Sequence, residues 1–264
     1  MPLNGTPNML KAALARSELQ IGLWSSLCSP LVAEVLAGAG FDWVLIDSEH
    51  APNDLSQIVA QLQVFAAYPT ESVVRIPVAD ATVIKRYLDA GARSLLVPFV
   101  EDRAMAEAVV SATRYPPHGI RGVSVSHRGN RFGRVKTYLN DAEESLCVFV
   151  QLETKKALAN IDEITAVDGI DAVFIGPSDL AADFGHLGNA GHPEVQDAIA
   201  SAIARCQEQG RTIGILAPVA DDARRYIAQG ATLVAVGSDL GLLVRGSDAL
   251  VEAFRGAAER SAAA

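Results

Sequence analysis

The sequence predicts one domain built as a closed (β/α)8 TIM barrel, and three observations carry that expectation. The chain has 264 residues, 50% of them hydrophobic, the size at which a single barrel of this kind closes around its core. Short apolar runs alternate with amphipathic helical stretches along nearly its whole length, the pattern of parallel strands joined by crossover helices. Glycine separates a helical stretch from the next apolar run at Gly91, Gly169, Gly210 and Gly230, as an α-to-β loop requires.

The elements follow in order. Residues 6–17 read as an extra helix ahead of the barrel, with Thr6 as N-cap and Pro7 at the first helical position. Buried parallel strands are expected at 21–24, 43–46, 73–76, 94–97, 147–151, 172–175, 212–216 and 233–236. Helices are expected between them at 30–39, 55–66, 83–90, 103–113, 157–166, 193–209 and 220–229. An open doubly wound sheet is the alternative, but it calls for a Gly-rich phosphate turn after the first strand. Trp24-Ser25-Ser26-Leu27 is not one. The stretch 115–138, rich in Arg, Gly and Ser, is too long for an ordinary connection. Residues 255–264 form a flexible tail in this reading, and the domain spans 1–264.

A net charge of −9 argues against nucleic acid and anionic membrane surfaces as partners, because both call for a basic face. Cys28, Cys147 and Cys206 lack metal-ligand spacing and are odd in number, which reads as free buried thiols in a reducing compartment. With no signal pattern and no apolar run near membrane-span length, the expectation is a soluble cytoplasmic protein.

In a barrel of this type the chemistry sits at the C-terminal ends of the strands. Those ends carry Trp24, Asp47-Ser48-Glu49-His50, Arg75, Gln151-Leu152-Glu153, Gly176-Pro177-Ser178-Asp179, Leu216 and Gly237-Ser238-Asp239. Glu153 and Asp179 end neighbouring strands, and two carboxylates so placed suit a hard cation such as Mg²⁺ or Mn²⁺. The plainer reading makes each a helix-start acid, with Ser178 as N-cap. His50 has the side chain suited to proton transfer near neutral pH, and either Asp47 or Asp89 is placed to orient it. Arg75 interrupts an apolar run and needs an anion, whether a reacting group or a rim carboxylate. The Gly176–Asp179 turn either binds a substrate carboxylate through its backbone or simply caps a helix. His127, Arg128, Arg131 and Arg134 in the long loop read as an exposed basic segment or as a clamp for a distal carboxylate.

With those residues in place, the chain resembles the HpcH/HpaI aldolase family of class II pyruvate aldolases. The resemblance runs through Gly-Phe-Asp-Trp-Val-Leu-Ile-Asp-Ser-Glu-His at 40–50, Val-Val-Arg at 73–75, Ala-Thr-Arg-Tyr-Pro-Pro at 112–117, Val-Gln-Leu-Glu-Thr at 150–154 and Phe-Ile-Gly-Pro-Ser-Asp-Leu at 174–180. Arg-Gly-Val-Ser-Val-Ser-His-Arg at 121–128, with Gly-His-Leu-Gly-Asn-Ala at 185–190, is similar to the branch acting on 2-dehydro-3-deoxyglucarate-type oxo acids.

The resemblance implies that His50 is the proton acceptor, that Asp89 raises its basicity and that Arg75 stabilises enolate charge. It implies a divalent cation, Mg²⁺, Mn²⁺ or Co²⁺, on Glu153 and Asp179. Substrate contacts fall to Gln151, Gly176, Ser178, Asp179, Trp24 and Leu216. The implied partners are pyruvate and an aldehyde, and the implied assembly is a homohexamer, a trimer of dimers that swap the C-terminal helix. Substrate choice is expected to lie in the loop 123–133. Other readings stand beside this one: a 4-hydroxy-2-oxoheptanedioate-type or broad hydroxy-oxoacid aldolase, and a carbon–carbon lyase of the wider pyruvate/phosphoenolpyruvate barrel group acting on a different oxo acid. A Schiff-base aldolase using Lys155 or Lys156 and an oxo-acid-binding protein without catalysis are the remaining ones.

Overall fold

A computed structural model describes residues 7–262. The strands are β1 (Gln20–Ser25), β2 (Trp43–Asp47), β3 (Glu71–Arg75), β4 (Ser94–Val97), β5 (Cys147–Leu152), β6 (Ala172–Ile175), β7 (Ile213–Leu216) and β8 (Leu233–Ser238). They close in sequence order into one parallel barrel, with β8 pairing back onto β1. Each strand falls on one of the apolar runs.

The helices are α1 (Met9–Ala15), α2 (Pro30–Ala37), α3 (Leu55–Phe65), α4 (Ala81–Asp89), α5 (Arg103–Thr113), α6 (Tyr138–Ser145), α7 (Lys155–Ala159), α8 (Ile161–Thr165), α9 (Pro177–Asp183), α10 (Pro193–Glu208), α11 (Ala220–Gln229) and α12 (Asp239–Ala262). The helix expected at 157–166 is interrupted at Asn160, whose amide donates to the Glu101 carbonyl at 2.9 Å. Polar side chains of this kind compete with helical backbone bonding. α12 continues through the stretch expected to be a flexible tail as far as Ala262, which the helix-forming Ala, Glu and Arg of that stretch favour.

The N-terminal helix exists, with a different cap. Asn8 accepts from Lys11 N–H at 3.1 Å and donates to Ser94 Oγ at 2.9 Å, so Pro7 lies ahead of the helix. Thr6 is outside the described residues. Leu10 and Leu14, one turn apart, are buried against the barrel interior, each contributing about 1.5–3 kcal/mol. α1 therefore plugs the N-terminal mouth.

Side-chain alternation positions everything at the other mouth. On β2, Trp43 and Leu45 point into the barrel while Val44 and Ile46 pack against the helices; the next inward position is Asp47. On β3 the same count runs from Val73 to Arg75, and on β5 from Cys147 and Phe149 to Gln151 and then Glu153. The apolar layers thus fill the lower and middle barrel, and the inward residues of the top layer are polar.

The inter-element glycines behave as expected. Gly91, Gly169, Gly210 and Gly230 all have positive φ, from 63° to 110°. At Gly230 the left-handed turn lets its N–H reach the carbonyls of Tyr226 and Ile227, at 3.1 and 2.9 Å, and so closes α11.

Candidate active site

One polar unit at the C-terminal mouth is built on Arg75. Asp47 and Arg75 face each other in the β2–β3 register. Arg75 Nε donates to Asp47 Oδ1 at 2.9 Å and Nη2 donates to Oδ2 at 2.7 Å, a bidentate pair. Trp24 Nε1 adds a donor to Asp47 at 3.2 Å, and the N–H groups of Glu49 and His50 reach it at 3.0 and 3.4 Å. The remaining terminal nitrogen, Nη1, lies 2.8 Å from Glu49 Oε2. The guanidinium also stands 5.0 Å from the Trp24 ring centroid. Burial pushes the Asp47 carboxyl up, and the Arg75 hydrogen bond and charge outweigh it, leaving Asp47 below the usual carboxylate range.

Glu153 is the electrostatic opposite. It is 1% exposed, and its Oε1 accepts a short hydrogen bond from Gln151 Nε2. Its Oε2 accepts from the N–H of Phe99 at 3.3 Å. Phe99 holds φ at 52°, a left-handed conformation uncommon outside glycine. Burial, with the charges of Asp179 and Glu49, raises Glu153 to about 8, against smaller opposing effects from Phe99 N–H and Arg75. Glu49 is raised as well, first by its own burial.

These residues fit a divalent cation. A buried carboxylate crowded by two others is disfavoured as an anion, and a cation between them removes the repulsion. Gln151 Oε1 is a buried acceptor without a partner. Gly176 is required by the same crowding, because a Cβ there would overlap the Glu153 carboxylate and meet the Gln151 amide.

The mouth opens into a cavity of about 340 Å³ lined by Trp24, His50, Arg75, Gln151, Gly176, Ser178, Asp179 and Leu216, together with Phe174. The structure therefore gathers almost all the expected rim residues in one place. Ser178 does not cap α9 through its side chain. It lies inside the helix, which begins at Pro177 with Gly176 in the cap position.

Other expectations are relocated. Asp239 accepts from Ser25 Oγ, Ser26 N–H and Leu27 N–H at 3.0, 2.9 and 3.1 Å, so it shapes the loop after β1. Asp89 ends α4 and so lies at the N-terminal face of the barrel, opposite the rim that carries His50. It accepts from Arg121 Nη2 at 2.8 Å, with His127 Nε2 at 3.8 Å. Among the described residues no hydrogen bond joins Asp89 to His50, and Asp47 meets only the His50 backbone. The long loop lies on that same face: Arg128 donates to the Ala90 carbonyl at 3.0 Å and His127 is buried, so neither lines the cavity of its own chain. Glu49, noted in sequence only as a member of its tetrapeptide, is the rim residue whose part went unread.

A family model described as HpcH/HpaI aldolase/citrate lyase matches residues 20–246, most of the chain. The chain belongs to that family. A 5-keto-4-deoxy-D-glucarate aldolase from Enterobacter sp. (strain 638) is 51% identical over 94% of this chain and 97% of its own length. Among solved structures, an HpcH/HpaI aldolase/citrate lyase family protein from Burkholderia cenocepacia J2315 superposes with a TM-score of 0.91 at 40% identity, covering 94% and 99% of the two chains. An HpcH/HpaI aldolase from Desulfitobacterium hafniense DCB-2 gives a TM-score of 0.84 at 28% identity, covering 93% and 96%. As a member of the HpcH/HpaI family the chain is a carbon–carbon lyase of the aldolase type. Among the described residues no helix is long and apolar enough to cross a membrane, and Cys147 and Cys206 are buried free thiols while Cys28 is half-buried.

Proposed function

We propose that this aldolase reversibly cleaves a 4-hydroxy-2-oxo diacid of the 5-keto-4-deoxy-D-glucarate type to pyruvate and tartronate semialdehyde. The carrying observation is the arrangement of the rim: buried Glu153, held by Gln151 and the Phe99 N–H, at a mouth whose cavity is lined by Asp179, Arg75 and His50. Numbered from its oxo end, 5-keto-4-deoxy-D-glucarate is a 4-hydroxy-2-oxo acid with a second, distal carboxylate.

Glu153 and Asp179 hold the divalent cation, Mg²⁺ or Mn²⁺ on the oxygen-donor chemistry of the pair. When bound, it supplies Lewis-acid polarisation of the 2-oxo group. Gln151 and the Gly176–Ser178 backbone orient the oxo-acid end, with Trp24 and Leu216 as apolar walls. His50 accepts the C4 hydroxyl proton as the C3–C4 bond breaks and the aldehyde forms. The electron pair of that bond becomes an enolate, and Arg75, already fixed by Asp47 and Glu49, faces its developing charge. Protonation at C3 completes pyruvate.

Asp89 is assigned to raising His50 basicity on the family resemblance, and that role calls for a contact the single chain lacks. Assembly with α12 exchanged between copies supplies other chains, and Leu243, Leu250 and Phe254 of α12 are 59%, 63% and 75% exposed, as a helix docking on a partner would leave them. The Schiff-base alternative has no support in the mouth. Lys156 is exposed and paired with Asp102 at 3.0 Å, Lys155 Nζ lies 4.8 Å from the Phe184 ring, and no lysine lines the cavity among the described residues.

A retro-aldol panel of 4-hydroxy-2-oxo acids, with and without the distal carboxylate, tests the substrate assignment. Cleavage favouring the diacid supports it, and equal or better cleavage of the monoacids overturns it.

A further inference from the structure

Between α9 and α10 lies a side-chain cluster that the aldol reaction does not use. His186 Nε2 and Glu194 Oε2 are 2.8 Å apart. The His186 and His192 rings stack with centroids 3.4 Å apart and planes 17° from parallel. One donor atom from each of the three residues lies within 4.8 Å of the others. The stack brings a ring nitrogen of each imidazole beside the Glu194 carboxylate. The hydrogen bond to His186 is the first cause holding the Glu194 carboxyl below the usual carboxylate range.

We propose that His186, His192 and Glu194 bind a second divalent cation of the borderline class (zinc, nickel or copper), separate from the cation at the barrel mouth. The donor sets divide the metals. Two imidazole nitrogens and one carboxylate favour borderline ions, whereas the all-oxygen pair Glu153 and Asp179 suits Mg²⁺ or Mn²⁺. The 2.8 Å between His186 Nε2 and Glu194 Oε2 lets both ligate one ion at about 2.1 Å, subtending roughly 84°. Coordination replaces that hydrogen bond and the long 3.3 Å bond from Glu194 N–H to His192 Nδ1, and the rings must tilt from their stack to aim both lone pairs at the ion. Lys155, whose charge also acts on Glu194, is the neighbouring cation that binding has to overcome.

The segment from His186 to Glu194 is short, so little chain entropy is lost in closing the site. Between Asp179 and the cluster lie the last four residues of α9, 180–183, a rise of about 6 Å, and the turn that carries His186. No ligand is shared with the mouth. The bound ion would clip the end of α9 to the start of α10, and the first turn of α9 carries Ser178 and Asp179, which line the mouth cavity.

The test is zinc binding by the full-length enzyme saturated with Mg²⁺, read by calorimetry and by metal analysis after gel filtration. About one zinc per chain is expected to be retained, and His186→Ala and Glu194→Gln should each weaken it by more than about 100-fold, since loss of even an outer partner costs about 10–100-fold. Turnover supported by Mg²⁺ should stay within about twofold of the parent in both variants, because neither His186 nor Glu194 lines the mouth cavity. Absence of zinc from the parent, or zinc unchanged in both variants, overturns the proposal. So does zinc lost on Glu153→Gln instead, which places the ion at the barrel mouth. Glu194→Gln alters an exposed side chain, so it still reads the site if His186→Ala folds poorly, and the aldolase assignment is judged separately by turnover.

Discussion

Asp47 and Arg75 sit opposite each other on neighbouring strands and are joined by parallel hydrogen bonds of 2.9 and 2.7 Å. The pair is almost fully buried, so the guanidinium is aimed before substrate arrives and need not reorganise as charge develops. Arg75→Ala is expected to lower kcat by roughly 10²–10³. Arg75→Lys should recover little, because an ammonium cannot reproduce the fork that meets Asp47. Steady-state kinetics check this, and a near-normal kcat in Arg75→Ala reduces the residue to a structural ion pair.

Cation binding should be coupled to a proton. With Glu153 raised to about 8, the carboxyl is mostly protonated at pH 7 and must ionise to ligate. Mg²⁺ binding at pH 7 is expected to release about one proton per chain, and Glu153→Gln should abolish both the release and the binding. Calorimetry in buffers of different ionisation enthalpy measures it. Tight binding with no proton exchange would contradict the assignment of Glu153.

The same group fixes a sign for stability against pH. Its folded-state value is raised from 4.5 to about 8, so the folded state binds more protons than the unfolded chain between those values. Its contribution is therefore complete below pH 4.5 and is lost as pH rises through about 8. Cation-free protein should lose stability across that window, on the order of a few kcal/mol. Glu153→Gln or added Mg²⁺ should flatten the slope. Denaturant melts at several pH values decide it, and a cation-free chain that grows more stable toward pH 8 would count against the burial argument.

Gly176→Ala probes the packing of the mouth. The added Cβ overlaps the Glu153 carboxylate and crowds the Gln151 amide, so Glu153 must shift, and a displacement of about 1 Å costs on the order of 100-fold in rate. Circular dichroism should show a folded barrel with turnover reduced by that order. Full turnover would mean that Glu153 has more room than its contacts indicate.

Asp89 gives the prediction with the most at stake for assembly. If it raises His50 basicity from another copy, Asp89→Asn should lower kcat and displace the pH profile. Because Asp89 also pairs with the fully buried Arg121, the same substitution should cost stability as well, and the pH profile is the readout that separates the two roles. An unchanged profile leaves Asp89 as the partner of Arg121 alone.

The barrel was legible in the sequence because its signal is repetitive. Alternation fills one side of each strand, and the same count that buries Trp43, Leu45 and Phe149 delivers Asp47 and Glu153 to the rim. Arg75, Gln151 and Glu153 follow that count, whereas His50 and Asp179 lie beyond the ends of β2 and β6 and are located only as strand-end segments. What spacing could not give was pairing. Asp47 is near His50 in sequence, yet its carboxylate is committed to Arg75 by a cross-strand register that no linear reading supplies. Asp89 and His127 lie off the strands; a helix that ends just before the fourth strand ends on the face opposite the rim, and what the sequence does not give is the pairing of Asp89 with Arg121. Thr6 and Asn8 are both good N-caps, and only the tertiary contact of Asn8 with Ser94 favours the latter.

The most direct measurement is pyruvate formation from 5-keto-4-deoxy-D-glucarate by protein stripped with a chelator, before and after Mg²⁺ or Mn²⁺ is restored. The account predicts no pyruvate from the stripped chain and full turnover on restoration, with Glu153→Gln inert in both states. Full turnover in excess chelator would contradict it.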